Sequence, residues 1–253
     1  MKKLLSPWFA LVTLALIISV RVIDPSFVES IRLRYFDTLI SNKPIVESEN
    51  VAIVNIDDST IEKYGQFPWP RDQYAKFIDE LYARDAGLVV FNVLMSEKDR
   101  LGGDSALEQT MNVMPVILPN VPSGKTKNSP RYPGSVILNP EYQDKIVQYP
   151  GIISNIPAFE KIAAGVGSTN TLPEIDGVNR RIPLLSSIEN NLYPALSLET
   201  LRVLSGDTTF QVKLNELGIE KLRIPGFGPI STDSLGRIWI DWSQKNQIGR
   251  AHV

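Results

Sequence analysis

The N-terminal segment constrains this chain most. Lys2 and Lys3 are followed by an uncharged run from Leu4 to Val20. As a helix that run is roughly 25 Å long, against ~30 Å for the hydrocarbon core of a bilayer. Trp8 stands near its start, where an interfacial aromatic sits. Pro7 falls in the first turn, where a helix tolerates proline. A cleaved signal peptide needs small residues at its cleavage site, but the run leaves as Ile18-Ser19-Val20-Arg21-Val22-Ile23-Asp24. We read residues 1–3 as a cytoplasmic tail and residues 4–23 as an uncleaved transmembrane helix. Arg21, Arg32 and Arg34 follow the span and two lysines precede it, so the positive-inside count does not decide orientation. With so little chain ahead of the span, the bulk of the protein reads as exported. That places it at the inner (cytoplasmic) membrane with its main domain extracytoplasmic.

Beyond the anchor, Ser26 and Glu29 have capping-box spacing. Phe27, Ile31, Tyr35 and Leu39 recur at i, i+4 and form one apolar stripe. Val51 to Ile56 is a β-branched run expected to be a buried strand. Phe67-Pro68-Trp69-Pro70 is a rigid turn, and Tyr74, Phe77, Ile78, Leu81 and Tyr82 share a face of a helix from Arg71 to Asp85 that Gly87 ends. Leu88 to Leu94 completes a βαβ unit, with the two strands parallel. A helix over 104–112, a strand over 116–118 and a long Pro- and Asn-rich excursion from Pro119 to Pro150 come next, the last with a short strand at 135–138. A helix over 157–164, strands over 165–171 and 180–188, a helix opened by Pro194, and strands at 222–224 and 237–242 follow. The fold class is α/β: a mixed, largely parallel sheet with flanking helices, preceded by one N-terminal transmembrane helix.

The chemistry is bounded by what is missing. There is no cysteine, and the only histidine is His252. Residues 248–253, Ile-Gly-Arg-Ala-His-Val, resemble one reading frame of a common sequencing adapter and are set aside, leaving 24–247 as the domain. Thiolate nucleophiles, thiolate or histidine metal sites and a Ser-His-Asp triad are thereby excluded. Net charge is −2, which gives no basic face for nucleic acid. Gly124-Lys125-Thr126 resembles the end of a P-loop, but the glycine required five positions earlier is Pro119.

The candidate ligand-binding residues are Asp57, Asp58, Trp69, Arg71, Asn92 and Arg180. Asp57 and Asp58 end the first predicted strand, and Asn92, Ser96 and Glu97 lie at the end of the second. Parallel strands would bring them to one sheet edge, where α/β proteins bind ligands. The plain alternative is that Asp58 or Ser59 caps the following turn. Trp69 and Arg71 flank Pro70, where an arginine could clamp an anion at a helix start, or simply pair with a carboxylate while Trp69 covers the core. Arg180 and Arg181 should face opposite sides of a strand. No catalytic residue, metal ligand or cofactor is assigned.

Several segments in order resemble the type-two CHASE domain, a cyclase- and histidine-kinase-associated extracellular sensor. They are Arg34-Tyr35-Phe36-Asp37, Val51 to Asp58, Phe67-Pro68-Trp69-Pro70-Arg71, Gly87 to Glu97, Asp176 to Leu184, Tyr193 to Leu198, and Asp233 to Asp241. The chain departs from the family in one place, reading Phe91-Asn92 where the second strand often reads Phe-Asp. The resemblance implies a bacterial sensor responding to a small molecule or an envelope signal. It also implies a homodimer, and a cytoplasmic output module such as a nucleotide cyclase or kinase beyond this segment, which itself is no enzyme. The competing readings are an anchored exported hydrolase using a divalent ion at the Asp57/Asp58 edge, and a ligand-free envelope adaptor.

Overall fold

The computed structural model describes residues 7–43, 50–132 and 134–242. The suspect residues 248–253 and the tail 1–3 lie outside them. The chain divides into two units: residues 1–55, 173–178 and 241–253, and residues 56–172 with 179–240.

In the first unit, α1 (Pro7–Ile23) and α2 (Ser26–Ser41) meet at Asp24, whose φ is 43°. None of the side chains of α1 is buried, and its apolar residues are exposed around the circumference. No single described helix is long and apolar enough to cross a membrane. The two helices pass that test together, with an 83° bend between them. The capping box does not form. Ser26 already lies inside the helix and Pro25 is its N-cap, while the Glu29 carboxylate turns to Arg32 at 2.6 Å. Arg32 also donates to Asp24 at 2.6 Å, which ties the bend together. The stripe Phe27, Ile31, Tyr35 and Leu39 is exposed rather than packed, and Leu33 is the buried residue of α2. The turn at Asp176-Gly177 is present: Gly177 takes φ 80° and donates to the Glu174 carbonyl.

The expected strand over Val51–Ile56 forms no ladder among the described residues. Only Ile53 makes an isolated bridge, and Val51, Ile53 and Ile56 stay exposed. A β-branched run fits a strand, but only a paired neighbour makes one.

The second unit opens with α3 (Asp58–Tyr64) and α4 (Arg71–Tyr82). Helix α4 ends earlier than Gly87 predicts. Asp85 takes the left-handed position (φ 63°), and Ala86 N–H bonds back to the Leu81 carbonyl. After β1 (Val89–Val90) come α5 (Asp104–Val113) and β2 (Val116–Ser123), so the parallel crossover runs through α5. The excursion is structured: it holds β3 (Gly134–Leu138), a 3-10 helix Pro140–Lys145 and β4 (Gln148–Tyr149). Then follow β5 (Gly151–Ile153), α6 (Pro157–Ile162) and β6 (Gly165–Ser168).

The strand expected over 180–188 splits into β7 (Arg181–Pro183) and β8 (Leu185–Ile188). Pro194 closes β9 (Asn191–Pro194) instead of opening α7 (Leu196–Leu204). The last strands are β10 (Thr209–Asn215), β11 (Gly218–Ile224), β12 (Gly228–Ile230) and β13 (Arg237–Trp239).

The fold is α/β with mixed pairing, though not one largely parallel sheet. Among the described residues the strands form four sheets, and five of the nine strand pairings are antiparallel: β10–β11, β11–β12, β13–β7, β2–β5 and β8–β9. Short hairpins in the second half impose this, because a parallel pair needs a long crossover. Strand β2 is the hub of the first sheet, parallel to β1 and β6 and antiparallel to β5. Helices α4, α5 and α6 cover one face of that sheet with a core that includes Tyr74, Ile78, Leu107, Leu118 and Phe159. On β6, alternate positions are glycine. A Cβ at Gly167 would stand 2.5 Å from Leu196 Cα, and one at Gly165 would stand 2.5 Å from Glu199 Oε1, so α7 lies directly on the strand backbone. A second core joins β8–β9 to β10–β11 through Leu185, Leu192, Leu198, Phe210, Val212 and Leu222.

Candidate functional site

Asp57 is the N-cap of α3. Its Oδ1 accepts from Thr60 N–H (3.0 Å), Thr60 Oγ1 (2.7 Å) and Ser59 Oγ (2.7 Å). The hydroxyls of Thr60 and Ser59, joined by the Thr60 N–H, favour the charged form and lower its pKa from 3.8 to about 2. Asp58 follows in the first turn of α3, exposed like Asp57. The cap is thus made by Asp57 and not by the two residues after it.

Arg71 is 8% exposed and begins α4. Its guanidinium pairs with Asp104, donates to the Glu97 carbonyl and lies 5.2 Å over the Phe159 ring. Its backbone N–H donates to Asp99, which also accepts from Leu101 and Gly103. Burial pushes the Asp99 carboxyl up, but those three N–H groups and the Arg71 charge outweigh it and hold the pKa below the ordinary value. Gly103 is required at this clasp, since a Cβ there would stand 2.5 Å from the Asp72 nitrogen. Arg71 therefore locks the Glu97–Asp104 loop to the start of α4. Trp69 closes the same corner. Its indole N–H donates to the Gly65 carbonyl at 2.8 Å, and its ring meets Tyr64, Phe67 and Tyr74.

Asn92 is exposed on the continuation of β1. Among the described residues no hydrogen bond or ion pair joins Asp57, Asp58 or Asn92 to Arg71. Arg180 is 2% exposed, and its carbonyl accepts from Ile240 N–H. Arg181 lies 4.8 Å over the Trp239 ring. Of the predicted residues, the structure thus brings Trp69 and Arg71 to one corner. No cluster of His, Asp or Glu among the described residues is arranged to hold a metal ion.

A polar belt that sequence reading missed runs along the carboxyl end of the first sheet. Asn120 on β2 lies in register with Ser168 on β6, and Ser168 Oγ donates to Asn120 Oδ1 at 2.6 Å. The β2–β5 register, carried one residue on, sets Ser154 opposite Asn120. Asn120 and Ser154 are fully buried, yet among the described residues Asn120 Nδ2 and Ser154 Oγ have no hydrogen-bond partner. Such atoms mark where a water or a ligand's polar end would be held. The Ser168 hydroxyl donates to an amide oxygen and not to a base, so nothing there activates it as a nucleophile. Nearby, Asn155 accepts from Met95 N–H and donates to Glu160. Glu160 accepts the Arg131 N–H at 2.8 Å, and the Arg131 guanidinium donates to the Ala163 carbonyl.

Arg131 leads to a cavity of about 180 Å³. Its floor is buried Val166, Glu199 and Arg202, and exposed Arg131, Tyr132 and Thr208 stand at its mouth. Arg202 grips Glu199 with two bonds, Nε to Oε2 at 2.8 Å and Nη2 to Oε1 at 2.6 Å. It also donates to the Asp207 carbonyl at 2.5 Å. The hydrogen bond and the charge of Glu199 raise the Arg202 pKa against burial. Sequence carried a faint sign of this pair in the i, i+3 spacing of Glu199 and Arg202, but nothing local linked it to Arg131.

Neither the curated proteins nor the solved structures searched contain a significant match to this sequence. The family profile described as the CHASE2 domain matches residues 11–253, and CHASE2 is a family of extracellular sensory domains. The match covers most of α1, the Arg71 corner, the polar belt and the cavity, and on that evidence the chain belongs to the CHASE2 family.

Proposed function

We propose that this chain is the extracytoplasmic sensory part of a bacterial transmembrane signalling protein. It responds to a small molecule or envelope signal and passes the response to a cytoplasmic cyclase or kinase module outside this segment. The family match over 11–253 carries the reading. Helix α1 supports it: a helix apolar on all sides needs an apolar solvent. We assign α1 to the inner membrane and residues 56–242 to the exterior. Signalling requires that a ligand bind two states of the domain with different affinity. Output modules of this kind act as pairs, so the working form is a homodimer. The exposed stripe Phe27, Ile31, Tyr35 and Leu39 on α2, which follows α1 directly, supports such pairing.

The absence of cysteine allows a direct topology test. Leu217, 78% exposed in the β10–β11 turn, can be changed to cysteine. In intact spheroplasts L217C should react with a membrane-impermeant maleimide at the rate seen after lysis. Labelling only after lysis overturns the proposed topology. Metal-dependent hydrolytic turnover by the purified chain would overturn the non-enzymatic assignment.

A further inference from the structure

From the arginine-walled cavity we infer a ligand class: a short-chain monocarboxylate, its carboxylate at Arg131 and its short aliphatic tail against Ala164. The inference rests on the sensory reading only for what binding does. The binding itself follows from the chemistry of the cavity.

The wall carries two guanidinium groups and one carboxylate. The carboxylate is committed: Glu199 accepts two bonds from Arg202 and one, at 3.3 Å, from Val166 N–H. Arg202 is committed in return, to Glu199 and to the Asp207 carbonyl. Arg131 differs. Its guanidinium donates to a neutral acceptor, the Ala163 carbonyl, and makes no ion pair among the described residues. The nearby Glu160 carboxylate makes no ion pair with that guanidinium among the described residues; its oxygens accept from the backbone N–H groups of Arg131 and Asn155 and from the Asn155 side-chain amide. A charged fork at a cavity mouth, with donors left over, matches a planar carboxylate.

Size and lining set the rest. About 180 Å³ has room for several waters or one small organic anion, and not for a nucleotide. Ala164 presents a methyl group, and Gly134 presents none, which leaves room for a short aliphatic tail. The site is also well placed to report occupancy. Arg131 holds the last turn of α6 through Ala163 and, through Glu160 and Asn155, touches the segment at Met95.

Isothermal titration of the full 253-residue chain in detergent, at fixed ionic strength, tests the assignment with sodium butyrate, neutral butyramide and sodium phosphate as probes. Butyrate should bind with a millimolar or tighter Kd, and butyramide and phosphate should bind at least tenfold more weakly. R131Q should lose at least tenfold in butyrate affinity, and R131K should retain part of it. A164L, which fills the cavity and leaves both arginines, should abolish binding, with far-UV circular dichroism confirming that each variant is folded. The inference is overturned if butyrate does not bind at 10 mM, if butyramide or phosphate binds as well, or if folded R131Q or A164L binds unchanged. If butyrate binds as described while the output of the complete signalling protein ignores it, the site stands and the sensory reading fails.

Discussion

Asp57 and Arg71 were both candidates for ligand contact, and both make hydrogen bonds within the fold. Asp57 binds the first turn of α3 as a charged cap, so its contribution to stability has a defined pH window. The folded pKa, about 2, lies below the ordinary 3.8. The stabilisation is complete above 3.8 and is lost as pH falls toward 2. We expect hydrogen exchange at Thr60 and Ile61 to accelerate over that range, and D57N, whose amide oxygen can still cap α3, to remove the pH dependence. Arg71 works in a drier setting. R71M would leave Asp104 without its cation and the Glu97 carbonyl without its donor. Urea unfolding should show a loss of about 3 kcal/mol, the size typical of breaking a largely buried pair. The pairing of Arg71 with a carboxylate was among the sequence readings, whereas the cap was expected at Asp58 or Ser59 and is made by Asp57. Arg131 was not singled out because its partners lie at Glu160 and Ala163, on an element distant in sequence.

Elements with strong local patterning were found where expected. Helix α4 buries Tyr74, Ala75 and Ile78 from one face, α5 covers 104–113, and the short strand in the excursion is β3. Those misread depended on pairing. Val51–Ile56 has strand composition and no ladder among the described residues, whereas 180–188 divides because β7 pairs with β13 and β8 with β9. Strand β10 alternates buried Phe210, Val212 and Leu214 with half-buried polar residues, a period-two pattern that sequence reading passed over. Glycine gives the sharpest test at this scale. In G167A the new Cβ would meet Leu196 Cα, a backbone atom that cannot swing aside. The substitution should cost about 1–3 kcal/mol of unfolding free energy, while alanine at solvent-facing Gly124, where a Cβ meets nothing, should cost much less.

For the whole molecule, the proposed role of α1 as a membrane anchor can be tested apart from the folded body. Helix α1 buries none of its residues, and the two cores described here lie within 74–224. Deleting residues 2–23 should move the chain from the carbonate-resistant membrane fraction to the soluble fraction, with the second unit still giving one cooperative thermal transition. Retention of the shortened chain in washed membranes would show that another segment holds it there.

By itself the sequence determined the apolar N-terminal helix, the α/β class, the family and the exclusion of thiolate chemistry, because hydropathy, periodicity and residue type are local properties that need no partner. Only the tertiary structure decided which strands pair, that Arg71 closes a loop, that the chain raises an Asn120–Ser168 belt on one sheet edge, and that Arg131 meets Glu199 and Arg202 around a cavity. Those features join residues tens of positions apart, and their energies arise from burial and register, which exist only once the chain has folded.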